Sequence, residues 1–267
     1  MNKRYKKQKK SLLIFFLIIP LIASWATSKY VFSKISNKKT IKAVKIEVKD
    51  DNKEGSEGFK KEVEGFEIYS VQVGSLNDYK EVESIVNNLE SANIPNYVHK
   101  EENSYKVYTY TSLEEPNVRR YLEGIKSSYS DAFISKIKIG SINLEYTKKY
   151  EYMNDVCKDL ELLIENMKQE SQFWNEYKLG TSNYDDYIKI VNDKSKIVDS
   201  LTKNLKESKE KYTENFEKIM SKFCELDKKN IKSINKNLGN GDMKSCEKLF
   251  ISSLFQYNEF INEIKNI

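Results

Sequence analysis

Phe66-Glu-Ile-Tyr-Ser-Val-Gln-Val-Gly74 decides how the chain reads. Its β-branched and aromatic residues recur with a period of two, the pattern of a strand. Working outward, Asn77 stands where it can cap a helix whose apolar residues Tyr79, Val82, Ile85, Val86 and Leu89 fall at helical spacing. Ile94-Pro95 ends that helix, and Tyr97-Val-His-Lys100 predicts a second strand. Glu101 to Ser104 turns the chain into a third strand, Tyr105 to Thr111. A second helix from Glu114 to Tyr129 carries Val118, Tyr121, Leu122 and Ile125 on one side, and Asp131 to Ile139 closes with a fourth strand. The order βαββαβ over residues 66–140 predicts an α+β, ferredoxin-like unit. Two helices then cover one face of a four-stranded sheet, and the other face is left free for a ligand.

Alternation assigns side chains to that free face. Tyr69, Val71 and Val73 turn toward the helices, so Ser70 and Gln72 point away, with Ser75 at the strand end. By the same reading Lys106, Tyr108 and Tyr110 point outward from the third strand, and Lys136 and Lys138 from the fourth. Tyr rings suit the apolar faces of pyranose rings, while amides and hydroxyls suit their hydroxyl groups. Tyr, Thr and Lys also populate open sheet faces for β-propensity alone, so composition does not separate a receptor from an ordinary surface.

Here the sequence resembles a family. Tyr69-Ser-Val-Gln-Val-Gly-Ser75 is similar to the opening signature of SPOR domains, aromatic-x-Val-Gln-x-Gly-Ser-Phe, and Tyr105-Lys-Val-Tyr108 to their third-strand Tyr-Arg-Val-x-Val. The resemblance spans residues 66–140. It implies binding, through the open sheet face, to septal peptidoglycan glycan strands stripped of their stem peptides. Gln72 and Ser75 carry over directly, and Lys106 stands at the usual Arg position. Leu76 replaces the usual Phe, and Thr109-Tyr-Thr-Ser112 replaces a Val-Gly-Pro-Phe-like stretch. No Trp precedes Tyr105, so a stacking role falls to Tyr108 or Tyr110, or is missing. Lys106, Lys136 and Lys138 would face the lactyl carboxylate of muramic acid. Residues 66–139 carry eight bases and eleven acids, so any such attraction is local to this face. An RNA-binding reading of the same topology needs a basic, aromatic RNP1 run that is absent, and no nucleic-acid partner is expected.

The net charge of +5 has one source. Residues 1–10 hold six bases and no acid, so the other 257 residues sum to −1. Ser11 to Thr27 follows without a charge, and residues 11–32 read as a single transmembrane helix with Trp25 and Tyr30 at the far interface. The positive-inside rule puts the tail in the cytoplasm and everything after the span outside. Ser24-Trp-Ala26 also permits signal-peptide cleavage after Ala26, and both readings export the remainder. Residues 33–65 read as a polar linker, in which Ile41 to Lys49 has the alternation of an isolated strand.

Residues 144–267 read as an all-α antiparallel bundle. Tyr146, Tyr150, Met153, Cys157, Leu160, Ile164, Met167, Ser171 and Trp174 step by 4 and 3. Gly180 stops that helix. A very long second one runs from Asp185 to Leu238, with a break expected near Ser208 or between Asp227 and Asn230. Asp242 caps the third, lined by Cys246, Phe250, Leu254, Tyr257, Ile261 and Ile264. Three helices can bury their own seams or offer them to a protein partner. Cys157, Cys224 and Cys246 fall near the apolar stripes and read as buried residues, with no metal-ligand spacing; His99 reads as an ordinary strand residue. Adjacent acid pairs such as Glu101-Glu102 and Asp185-Asp186 point apart and make no catalytic pair. No catalytic residue, metal or cofactor is expected. The resulting expectation is a membrane-anchored, non-enzymatic peptidoglycan-binding protein of the division or sporulation septum. The alternative is an extracytoplasmic helical scaffold that recruits protein partners and in which glycan binding is weak or lost.

Overall fold

The computed structural model describes residues 44–47, 58–208 and 211–267. The expected basic tail and membrane span at residues 1–32 lie outside these, and among the described residues no helix is long and apolar enough to cross a membrane. Among the described residues seven strands and six α-helices follow in the order β1 (Val44–Glu47), β2 (Gly58–Val63), β3 (Glu67–Leu76), α1 (Tyr79–Ser91), β4 (Asn96–Lys100), β5 (Tyr105–Ser112), α2 (Glu115–Lys126), β6 (Phe133–Lys138), β7 (Ile142–Thr147), α3 (Met153–Lys178), α4 (Tyr184–Glu207), α5 (Glu214–Gly239) and α6 (Met243–Lys265). The class is α+β, with a helical C-terminal half.

The run from β3 to β6 has the expected βαββαβ order, and its sheet is arranged β4-β5-β3-β6 with every neighbour antiparallel. Asp78, not Asn77, caps α1, its Oδ1 accepting from the Lys80 backbone N–H at 2.9 Å. Val82 and Leu89 of α1 and Val118 and Ile125 of α2 bury against Val71, Val73 and Val107. This is the core foreseen for one face of the sheet.

The linker reading of residues 33–65 does not hold at its end. β2 pairs antiparallel with β7, and β1 parallel with β7, in a second, three-stranded sheet. β7 occupies the start of the stretch assigned to helix: Ile142, Leu144 and Tyr146 are buried and alternate with half-exposed residues. Gly65 lets the chain turn from β2 into β3 hard against β7's approach, since a Cβ there would stand 2.2 Å from the Ile139 carbonyl oxygen.

Four helices, not three, follow. The long middle helix ends at Glu207, and α5 restarts behind Thr213, whose hydroxyl accepts from the Phe216 N–H at 3.1 Å. Asn183 and Asp186 form a reciprocal capping box at the start of α4. The anticipated seams are buried: Met153, Cys157, Leu160 and Met167 on α3, Val191, Val198 and Leu201 on α4, and Cys246, Phe250, Leu254 and Ile261 on α6 all join one core.

That core encloses charge. Lys194 Nζ lies 3.5 Å from Glu170 Oε2, 4.0 Å from Asp227 Oδ1 and 3.2 Å from Ser253 Oγ, and all four residues are buried. Tyr187 donates to Glu170 Oε1 at 2.7 Å, while both Asp227 oxygens lack a hydrogen bond. Burial raises the Asp227 pKa, Lys194 opposes this, and Glu170 adds to it. For Lys194, burial works downward, but the charges of Asp227 and Glu170 outweigh it and raise the pKa. With all three ionised the cluster carries −1. Because folding raises the Asp227 pKa, its protonated form favours the native state; that stability is present at low pH and is lost as pH rises above the ordinary carboxylate range. Asp227→Asn should therefore flatten the fall in stability between pH 5 and 8 and raise the denaturation midpoint at pH 8. Lys194→Met should cost about 3–5 kcal/mol by leaving two buried carboxylates without a counter-charge. Urea unfolding across this pH range measures both.

Candidate functional site

The expected glycan face can be assembled from the strand register, since directly paired residues share a face. Tyr97, Tyr108, Gln72 and Phe133 form one row across the sheet. Ser70 and Ser135 belong to the next, and Ile68 and Ile137 to the one after it. Between Gln72 and Gly74 the register slips by one residue, so Ser75 pairs with Lys106, and Lys106 with His99. This bulge returns Ser75 to the same face as Gln72 despite their odd separation.

The face is not free. Helix α6 lies across it and sets the Phe255 ring 4.7 Å from Tyr97, 4.8 Å from Tyr108 and 5.6 Å from His99, measured between centroids. Tyr257 stacks on Phe66 at 5.5 Å. From α3, Ser171 Oγ lies 2.9 Å from Ser112 Oγ and accepts from the Leu113 N–H at 2.9 Å. Ser70 is fully buried, Tyr108 nearly so, and Gln72 is 7% exposed. The Ser70 hydroxyl donates to the Thr109 carbonyl at 3.1 Å and lies 2.7 Å from Thr111 Oγ1, so its hydrogen bonds are made within the protein. Burial pushes the Tyr97 phenol up to about 12 and raises that of Tyr108. The cause is visible in α6, where Ile251, Phe255 and Phe260 are buried in addition to its seam. A helix apolar on more than one side needs a second surface to cover it, and the sheet supplies one.

Three of the expected residues lie elsewhere. Tyr110 sits in an irregularity of β5 with φ of 44°, and its ring leaves the sheet face to stack on Tyr121 of α2 at 4.2 Å with 9° between planes. Lys136 and Lys138 pair in register with Tyr69 and Glu67 and so stand on the opposite face from Ser70 and Gln72. Lys136 Nζ lies 2.7 Å from Glu67 Oε2 and 5.4 Å from the Tyr69 ring centroid, and its hydrogen bond holds the Glu67 carboxyl below the usual range. It is instead Ile137 that faces the bundle. Of the expected set, the structure leaves Ser75 and Lys106 together at one uncovered end, with Lys106 paired to Glu101 at 2.6 Å. Phe133, which sequence reading gave no role, stands beside them 51% exposed. Its outward aromatic ring next to Gln72 was the available signal.

Cys157, Cys224 and Cys246 are buried free thiols, and burial pushes them up to about 12, 11 and 12. Among the described residues no group of three or more His, Cys, Asp or Glu side chains is placed to hold a metal ion. No family model, curated protein or solved structure matches this chain. A chromogenic disulfide reagent at pH 8 should titrate no thiol in the native protein and three after unfolding in guanidinium, because thiolate populations at these pKa values are on the order of one in a thousand or less. Rapid native labelling of any thiol would contradict the packing described.

Proposed function

We propose that the chain is a non-enzymatic scaffold of the cell envelope, held by a membrane helix at residues 11–32 and displaying its folded body outside the membrane. In this reading the βαββαβ unit has a ferredoxin-like, SPOR-type form but serves as the seat of the helical bundle, not as an open glycan receptor. Protein partners at a division or sporulation septum would meet the outer faces of the helices. The observation that carries the reading is the placement of Phe255 over Tyr97 and Tyr108, with Ser70, Gln72 and Tyr108 buried beneath. A receptor face must exchange water for ligand hydroxyls, whereas these groups have already exchanged water for protein.

One observation favours a second reading. Ser75, Lys106 and the half-exposed Phe133 remain uncovered at the end of the same face, and a glycan contact confined to that end would retain part of the resemblance. Co-sedimentation of the full-length protein with amidase-treated peptidoglycan sacculi separates the two. The scaffold reading predicts that Phe133→Ala and Ser75→Ala leave retention within about twofold of wild type. A loss of tenfold or more in either variant would restore the sheet as receptor.

A further inference from the structure

One residue from each helix of the bundle meets at its centre: Glu170 of α3, Lys194 of α4, Asp227 of α5 and Ser253 of α6, each at most 1% exposed. The lysine amine is offered to the Ser253 hydroxyl at 3.2 Å, not to a carboxylate. Both Asp227 oxygens and Glu170 Oε2 are buried without a hydrogen bond, although Lys194 Nζ stands 4.0 Å from Asp227 Oδ1 and 3.5 Å from Glu170 Oε2. A pair held for its charge alone closes to about 2.7–2.9 Å. One turn away on either side lie Val191 and Val198 on α4 and Phe223 and Ile231 on α5, all buried. Three ionisable groups thus sit in apolar surroundings with hydrogen bonds unmade, and each unmet group is costly there.

The same three groups are the parts of an amide condensation. The charges of Asp227 and Glu170 hold the Lys194 proton in place, so its amine becomes a nucleophile only when a base takes that proton. Glu170 Oε2 is the base within reach, and Tyr187 holds the other oxygen of that carboxylate at 2.7 Å. Asp227 is the electrophile. A carboxylate repels an incoming electron pair, but burial and the charge of Glu170 favour the neutral acid at this position. Reacting atoms must come within about 3–3.5 Å. Small rotations of the long lysine stem supply that approach from its 4.0 Å contact with the carboxyl group.

We propose that Lys194 and Asp227 condense to a side-chain amide that ties α4 to α5, with Glu170 as the catalytic residue. Glu170 takes one ammonium proton, and the freed pair on Nζ bonds to Asp227 Cγ while the carbonyl π pair moves onto oxygen. Glu170 passes that proton to the hydroxyl oxygen of the acid, the C–O bond breaks, and the carbonyl re-forms as water leaves. The nitrogen then gives a second proton to Glu170. An ammonium, a carboxylate and a carboxylic acid have become an amide, one water and a protonated Glu170. The cluster is left without charge, which removes the desolvation cost its ions carried. Exclusion of water from the site protects the amide from hydrolysis. The bond needs only the bundle core and does not rest on the scaffold reading. The pH-dependent stability described above belongs to the chain before this step.

Mass spectrometry of the intact full-length protein, reduced and denatured, tests the bond. Wild type should be lighter than its sequence by one water, and should run faster on a reducing denaturing gel than the unbonded variants. Fragmentation should give one branched peptide that joins Lys194 to Asp227. Lys194→Met, Asp227→Ala and Glu170→Gln should each restore the full mass, the last with both reacting residues still present. Should Lys194→Met or Asp227→Ala fail to fold, the branched peptide and Glu170→Gln decide the matter. Folded wild type that keeps its full mass after prolonged incubation, water loss that persists in Glu170→Gln, or a branch at Glu170 would overturn the proposal.

Discussion

The seating of Phe255 against Tyr97, Tyr108 and His99 is the contact on which the remaining architecture depends. It joins a sheet and a helical bundle that each have a reason to exist alone into one core, which runs from Ile68 and Tyr108 through α3 to α6. Burying a side chain of this size contributes about 1.5–3 kcal/mol, and removing it would cost more because a cavity remains. The polar groups on this face are compatible with that burial because they are satisfied internally, as Ser70 is through Thr109 and Thr111. Closure over the face is therefore a packed, hydrogen-bonded state of the native fold.

The same closure explains which parts of the sequence could be read. The phase of β3 was legible because Val71 and Val73 alternate with polar Ser70 and Gln72. In β6 the phase inverts the expectation, with Ile134 on the α1/α2 side and Ile137 on the bundle side. Alternation is informative where one face is buried and the other meets water, and in this edge strand no residue is fully buried, with Phe133 exposed on one face and Lys136 and Lys138 on the other. Residues Ile142 to Thr147 alternate strictly, yet Tyr146, Tyr150 and Met153 also continue a 4-and-3 spacing into α3, which hid the strand inside a helical seam. β2 offers no hydrophobic signal, since Val63 is its single buried residue. The stop after Glu207, by contrast, falls beside Ser208, where the apolar spacing weakens.

The site was legible by residue type more than by position. Gln72, Ser75, Lys106 and Tyr108 do share one face of the sheet. Tyr110 does not, because a positive φ at a single residue redirects its ring and no local pattern announces it. Coverage of the face depended on a property of the distant helix α6, its apolar character on two sides, which a search for one heptad seam passes over. The buried charges of Glu170, Lys194 and Asp227 were equally hidden, since lysine and carboxylates on helices ordinarily face solvent.

The central claim, that the helical half sits on the sheet, is most directly tested by a covalent link between them. Ser112 and Ser171 place their hydroxyl oxygens 2.9 Å apart across the contact, a separation that brings substituted sulfurs within bonding reach. Under mild oxidation the full-length protein carrying Ser112→Cys and Ser171→Cys should form that disulfide nearly completely. The expected signs are a faster band on a non-reducing gel and a mapped peptide that links the two substituted positions. A pair that stays reduced in folded protein under the same oxidation would mean that α3 does not pack against the end of β5, and so that the helical half does not sit on the sheet as described.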